Sequence, residues 1–144
     1  MDDFTHLIEE AIRQGIERFV VGAIIEIDKK ILLLKRPEDD FMGGIYELPS
    51  GKVEEGEDII TALYREVEEE TGIKVAKIKQ YLGFFDYNSK SGKRTRQFNF
   101  LITPEQPFDL RLREHDGFAW VSKNELGRYN VTDSVRELIE PLAV

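Results

Sequence analysis

Between Gly51 and Ile73 the sequence reads GKVEEGEDIITALYREVEEETGI, and its densest chemistry is the run Arg65-Glu66-Val67-Glu68-Glu69-Glu70. The stretch from Asp58 to Thr71 contains neither glycine nor proline and is followed by Gly72, which predicts one helix with a glycine stop. On such a helix Glu66, Glu69 and Glu70 share a side, because residues three and four apart are surface neighbours. Ile60, Leu63, Tyr64 and Val67 form an apolar stripe whose centre lies roughly 120° away. The helix can thus bury one face and present three carboxylates on another.

Like charges this close repel one another, and more strongly when partly desolvated. A divalent cation reverses the sign of that interaction, and an oxygen-only, carboxylate-rich site suits Mg²⁺ or Mn²⁺ better than softer metals. Magnesium also keeps positions that phosphate oxygens can occupy. For an arbitrary glutamate-rich helix, the plain alternative is a solvated acidic face.

The composition narrows the field. There is no cysteine, so disulfides and thiolate metal sites are excluded, and His6 and His115 lie far apart in sequence. With 28 acidic and 20 basic residues the net charge is −8, which argues against a nucleic-acid polymer as partner. A polyphosphate substrate would be repelled as well unless cations intervene. No apolar run reaches the ~18 residues of a membrane span, and Met1-Asp2-Asp3 does not resemble a secretory start. The expected location is the cytoplasm. A length of 144 residues with 41% apolar content suits one domain spanning residues 1–144.

The elements that must position the glutamates follow from periodicity. Residues 1–18 are assigned to an N-terminal helix on the spacing of Phe4, Leu7, Ile8, Ala11, Ile12 and Ile16, with Phe19 continuing the pattern and Asp2, Asp3 or Thr5 as cap. Its apolar stripe docks on its own domain or forms a homodimer contact. Phe19–Ile27 and Lys30–Lys35 read as a hairpin around Asp28-Lys29, and residues 36–50 as a loop ending in a short extended piece at Pro49. Ile73–Tyr87 and Arg94–Thr103 flank a second hairpin loop, Phe118–Val121 is a short strand, and Thr132–Ile139 is a terminal helix. Hairpins interleaved with helices predict an α/β fold with a mixed, largely antiparallel sheet.

The complete spacing is more telling than the glutamates alone. Gly51, five residues, Glu57, seven residues, Arg65-Glu66, aliphatic Val67, one residue, Glu69-Glu70, one residue, Gly72 and aliphatic Ile73 resemble the Nudix hydrolase signature at every defined position. Ordinary residue frequencies give such a match at a fixed start less than roughly once in a billion, so chance is set aside. The signature occupies residues 51–73, and Glu47-Leu48-Pro49 before it and Trp120-Val121 after it agree with the family's pattern.

The resemblance implies an α/β/α sandwich, here with an extra N-terminal helix, and hydrolysis of the diphosphate linkage in a nucleoside diphosphate joined to another group. Candidates include nucleoside triphosphates, oxidised nucleotides, ADP-ribose and nucleotide sugars. It implies that Glu69 and Glu70 bind the metal, that Glu66 binds metal or helps activate water, and that the Gly51 carbonyl is a further ligand. Arg65 would orient the glutamates, pairing with Glu57. Several relatives place an extra acid reaching the metal or acting as base where Glu114 stands, and a plain surface acid is the alternative there.

Outside the signature, Arg36 and the basic residues after the second hairpin loop, Lys93, Arg94 and Arg96, are candidates for substrate phosphates, against the plainer reading of solvated charge. Phe41, Tyr46, Phe84, Phe85, Phe98 and Phe100 include candidates to stack on a base, although strand alternation turns about half of the strand aromatics inward. His115 and Asp116 are weaker candidates, a lone loop histidine being more often a surface residue. The competing functions are a non-catalytic nucleotide-binding module on the same fold, which would typically have lost one of the three glutamates, and an acidic interaction protein, which leaves the spacing unexplained.

Overall fold

The computed structural model describes residues 4–39 and 42–144. Helix α1 runs over Thr5–Arg13, shorter than the helix expected over residues 1–18. Gly15 stops it: this residue adopts a left-handed backbone (φ +81°), and the Ile16 N–H turns back to the Ala11 carbonyl at 3.0 Å. Ile16 and Phe19 extend the apolar periodicity only by coincidence, since Phe19 already belongs to a strand. Phe4 stands at the N-cap position, and the Asp2 and Asp3 caps lie outside the described residues.

Strands β1 (Arg18–Ile27) and β2 (Lys30–Lys35) form the expected hairpin. Asp28 and Lys29 both take positive φ, 51° and 65°, the two-residue turn whose twist matches that of paired strands. The loop before the acidic helix contains two short strands, β3 (Tyr46–Glu47) and β4 (Ser50–Lys52). Helix α2 then covers Ile59–Thr71, followed by β5 (Val75–Asn88), β6 (Arg94–Pro104), β7 (Gly117–Val121), a 3-10 turn at Lys123–Arg128, and helix α3 (Asp133–Ile139).

The sheet order is β3-β2-β1-β6-β5, with β4 also on β1 and β7 also on β2. All pairings are antiparallel except β1 with β6, which run parallel from Arg18↔Thr95 to Ile25↔Ile102. Helices cover both faces. On one, Ala11 of α1 and Ile59, Ala62, Leu63 and Val67 of α2 pack on Val21, Ala23, Phe98 and Phe100. On the other, Leu126, Val135 and Ile139 pack on Ile24, Leu33 and Leu101. The result is a three-layer α/β/α arrangement around a mixed sheet. Among the described residues no helix is long and apolar enough to cross a membrane.

Leu63 fixes the acidic helix to the sheet and is fully buried. Its replacement by Ala should destabilise the protein by about 2–5 kcal/mol, read from the shift of a urea unfolding midpoint. A shift under about 1 kcal/mol would mean that α2 is not seated on this core.

Candidate active site

Helix α2 is bounded by local chemistry at both ends. The Asp58 side chain accepts the Thr61 N–H at 2.7 Å, and Gly72 closes the helix in the left-handed region at φ 78°. A Cβ at Gly72 would also lie 2.8 Å from the Asp109 carbonyl, so the stop doubles as a packing point. Strand β4 crosses the carboxylate end of this helix, held by pairs from Val20↔Lys52 to Gly22↔Ser50.

Arg65 links the two elements. It donates Nε–H to Glu57 Oε2 at 2.7 Å and Nη2–H to Glu57 Oε1 at 2.8 Å, a two-pronged ion pair. Its Nη1 reaches Glu66 Oε1 at 2.6 Å and Glu69 Oε1 at 3.1 Å, and Nη2 also donates to the Lys52 carbonyl at 3.0 Å. This bonding holds the Glu57 carboxyl below its usual range and the guanidinium above its own. Arg65 therefore fixes three glutamates and β4 at once.

Glu66 lies against Gly51, where a Cβ would stand 1.8 Å from Glu66 Oε2. Burial pushes the Glu66 carboxyl up, with Arg65 opposing. Glu70 is only 8% exposed, and burial, followed by the nearby charge of Glu114, pushes its carboxyl up to about 7. Glu69 is more open, with Arg113 Nη1 at 3.4 Å. Gly51, Glu66, Glu69, Glu70 and Glu114 all line one end of a cleft of about 1090 Å³, whose other walls include Arg36, Leu48, Phe85, Tyr87, Gln97 and Thr132.

Among the described residues no three acidic or histidine side chains converge closely enough to form a finished cation cage, and Arg65 holds Oε1 of both Glu66 and Glu69. The donor set nevertheless fits a hard divalent ion. It is all oxygen, it includes a buried carboxyl whose ionisation is opposed by a second acid, and it borders a glycine whose missing side chain leaves room for Glu66.

Residues 17–142 match the family model described as the NUDIX domain. The chain belongs to the Nudix family. It is 34% identical to the CTP pyrophosphohydrolase of Escherichia coli (strain K12) over 121 residues, 84% of this chain and 87% of that protein. It is 28% identical to the 8-oxo-dGTP diphosphatase of Buchnera aphidicola subsp. Schizaphis graminum (strain Sg), covering 85% and 90% of the two chains. The crystal structure of the MutT NUDIX hydrolase from Burkholderia pseudomallei superposes with a TM-score of 0.76 at 28% identity, covering 88% of this chain and 98% of that one. This Nudix chain is therefore a hydrolase of the class that these pyrophosphohydrolases represent.

The cleft beside the Nudix helix collects several residues singled out from sequence, but not all. Arg36 reaches the cleft with its Nη1 on both Glu47 oxygens at 3.2 Å. Tyr46 does not line the cleft; it packs edge-on against Tyr129, ring centroids 4.9 Å apart. Arg94 is also elsewhere, its Nη1 on the Gln14 carbonyl at 3.1 Å. Arg96 is buried on the opposite face of β6, paired with Asp86 at 2.8 and 2.9 Å and lying 3.8 Å over the Phe84 ring. Strand alternation is the reason, since the neighbouring Gln97 takes the cleft face. Phe98 and Phe100 are core, whereas Phe85 lines the cleft. Phe41 lies outside the described residues.

His115 is not the surface residue that its isolation suggested. Its side chain is 7% exposed, with Nε2 2.8 Å from Glu47 Oε2. Sequence reasoning passed over Arg18, Glu47, Tyr87, Gln97 and Arg113, all on the cleft wall. Alternation along β1, β5 and β6 would have found three of them once the parity of the cleft face was known.

The Glu70 shift has a consequence for metal-free protein. Its carboxyl holds a proton more tightly in the fold (about 7) than in the unfolded chain (4.5), so stability falls as pH rises between those values. Melting curves in a chelator should show this decline in the wild type and a shallower one in Glu70→Gln. Parallel curves would place Glu70 in water.

Proposed function

We propose that the protein hydrolyses the diphosphate linkage of a small nucleotide substrate in a reaction dependent on Mg²⁺ or Mn²⁺. One observation supports this most: Arg65 binds β4 and three glutamates together at one end of a cleft of nucleotide size. Glu66, Glu69, Glu70 and the Gly51 carbonyl would hold the ion. When bound, it would draw charge from the phosphoryl oxygens and acidify a nearby water.

The rest of the work falls to the chain. Arg65, anchored on Glu57, orients Glu66 and Glu69 and keeps β4 at the correct distance. Glu114, whose charge raises the Glu70 carboxyl, and Glu66 are the two candidates to accept the proton of the attacking water. Water attacks one phosphorus and the bridging oxygen leaves with the other phosphate group. Lys52 and Arg113, at the same end of the cleft, offer cations to the phosphate oxygens.

Curated relatives named for CTP and for 8-oxo-dGTP share this domain, so nucleoside triphosphates head the expected substrates. The test is to incubate purified protein with Mg²⁺ and a panel of triphosphates, oxidised nucleotides, ADP-ribose and nucleotide sugars, then separate the products by chromatography. Metal-dependent release of a nucleoside monophosphate supports the reading. Nucleotide binding without turnover on the whole panel would favour a non-catalytic module.

A further inference from the structure

The sheet floor of the cleft is polar at one point, where an interior strand is normally apolar. On β6, Phe98 and Phe100 pack toward α1 and α2, while Gln97, at alternate parity, lines the cleft and Asn99 lies beside it. Both are well buried, at 6% and 0% exposure. Asn99 Nδ2 donates to two backbone carbonyls, Gly83 at 3.3 Å and Gln97 at 3.1 Å. Carbonyls cannot donate, so the Asn99 amide has one orientation and its Oδ1 must face Gln97. Gln97 Nε2 donates to that oxygen at 2.9 Å. The second amide is therefore fixed by the first.

Gly22 completes the arrangement, since a Cβ there would lie 2.3 Å from Gln97 Nε2 and 2.7 Å from Asn99 Oδ1. One N–H of Nε2 is committed to Asn99, which fixes the amide's orientation, and Oε1 is the atom of that amide that no described donor engages. Sealed polar atoms without partners are confined, among the described residues, to Tyr81 Oη and His115 Nδ1, so this oxygen opens to the cleft. In register, Gln97 lies between Val20 of β1 and Phe85 of β5, and Val20 faces Lys52 of β4 on its other side. That puts it two strand spacings, about 10 Å, from the strand that supplies Gly51. Phe85 and Tyr87, ring centroids 6.1 Å apart, offer an aromatic wall beside it.

We propose that Gln97 selects the nucleobase, its locked Oε1 accepting an N–H from the exocyclic amine of a cytosine- or adenine-type base. The proposal rests on reading the cleft as a nucleotide site. A base with a carbonyl opposite Oε1 sets two acceptors face to face, and the bond to Asn99 prevents the amide from turning to exchange Oε1 for Nε2 at that place. Specificity thus comes from a side chain two strands away from the diphosphate chemistry.

The test is direct binding, by calorimetric or NMR titration, of CMP, UMP, AMP and IMP to the full chain with Mg²⁺ present, these monophosphates having no diphosphate link to cut. CMP should bind tighter than UMP, and AMP tighter than IMP, by roughly tenfold or more. Gln97→Leu should bring both ratios to within about twofold, and Asn99→Leu, which leaves Gln97 present but free to turn, should narrow them. Wild-type ratios near one, or no binding of any of the four, overturn the proposal whether or not the variants fold. Release of CMP from CTP with Mg²⁺ is measured separately. Turnover without base preference sinks the Gln97 assignment and leaves the hydrolase standing, whereas base preference without turnover does the reverse.

Discussion

Conversion of Glu70 to Gln should lower metal-dependent turnover on the order of 10³-fold while the fold survives. Glutamine has nearly the same shape, so the packing of this 8% exposed side chain is kept and only its charge is lost. In metal-free protein that charge is a burden, since burial and Glu114 already push the carboxyl up to about 7. The variant should therefore melt no lower than the wild type in chelator, while its gain in melting temperature on adding Mg²⁺ should be much smaller. A structural role would give the opposite pattern, with lowered stability and retained activity. Steady-state kinetics with a responsive nucleotide, read beside thermal melts with and without Mg²⁺, separate the two. Turnover within roughly tenfold of wild type would remove Glu70 from the metal site.

Gly51→Ala is the second large effect, expected to reduce kcat by about 10²-fold. The added methyl would stand 1.8 Å from Glu66 Oε2 and 2.0 Å from its Cδ, distances that real atoms do not share. Gly51 is not among the positive-φ glycines, so alanine fits the backbone, and the three atoms nearest the added methyl all belong to Glu66. Glu66 must swing away, taking with it the carboxylate that Arg65 holds at 2.6 Å. The fold should persist, because β4 is a short edge segment and the core beneath it is unchanged. Activity at the wild-type level would show that Glu66 is free to move without consequence.

These two residues also mark what sequence could and could not convey. The acidic helix was legible in its body and its stop, since Gly72 is a local device, but Asp58 proves to be its cap rather than its first residue, and the buried stripe runs through Ile59, Ala62, Leu63 and Val67, leaving Tyr64, expected in it, exposed. The hairpin turn at Asp28-Lys29 was legible for the same reason. Contacts across long sequence separations were not: the grip of Arg65 on the Lys52 carbonyl and the burial of His115 against Glu47 depend on how distant segments meet. The choice of Arg96 as a substrate contact was a parity error, because alternation divides a strand into two faces without saying which is the cleft. The length of α1 was overestimated because a one-residue left-handed turn at Gly15 carries little periodic signal.

The parallel pairing of β1 with β6 bears on how the molecule is made. Arg18 must wait for Thr95 to emerge from the ribosome before its ladder can close, although α2 with all its glutamates has already been synthesised. A nascent chain ending near Asn88 holds the whole acidic signature but lacks the strand that floors the cleft. The β5–β6 hairpin is local and can form early, delivering β6 to the waiting edge of β1 in one docking event. Assembly of the reaction centre is thereby postponed until β6 has been made, and a product that stops before it carries the signature without the enzyme.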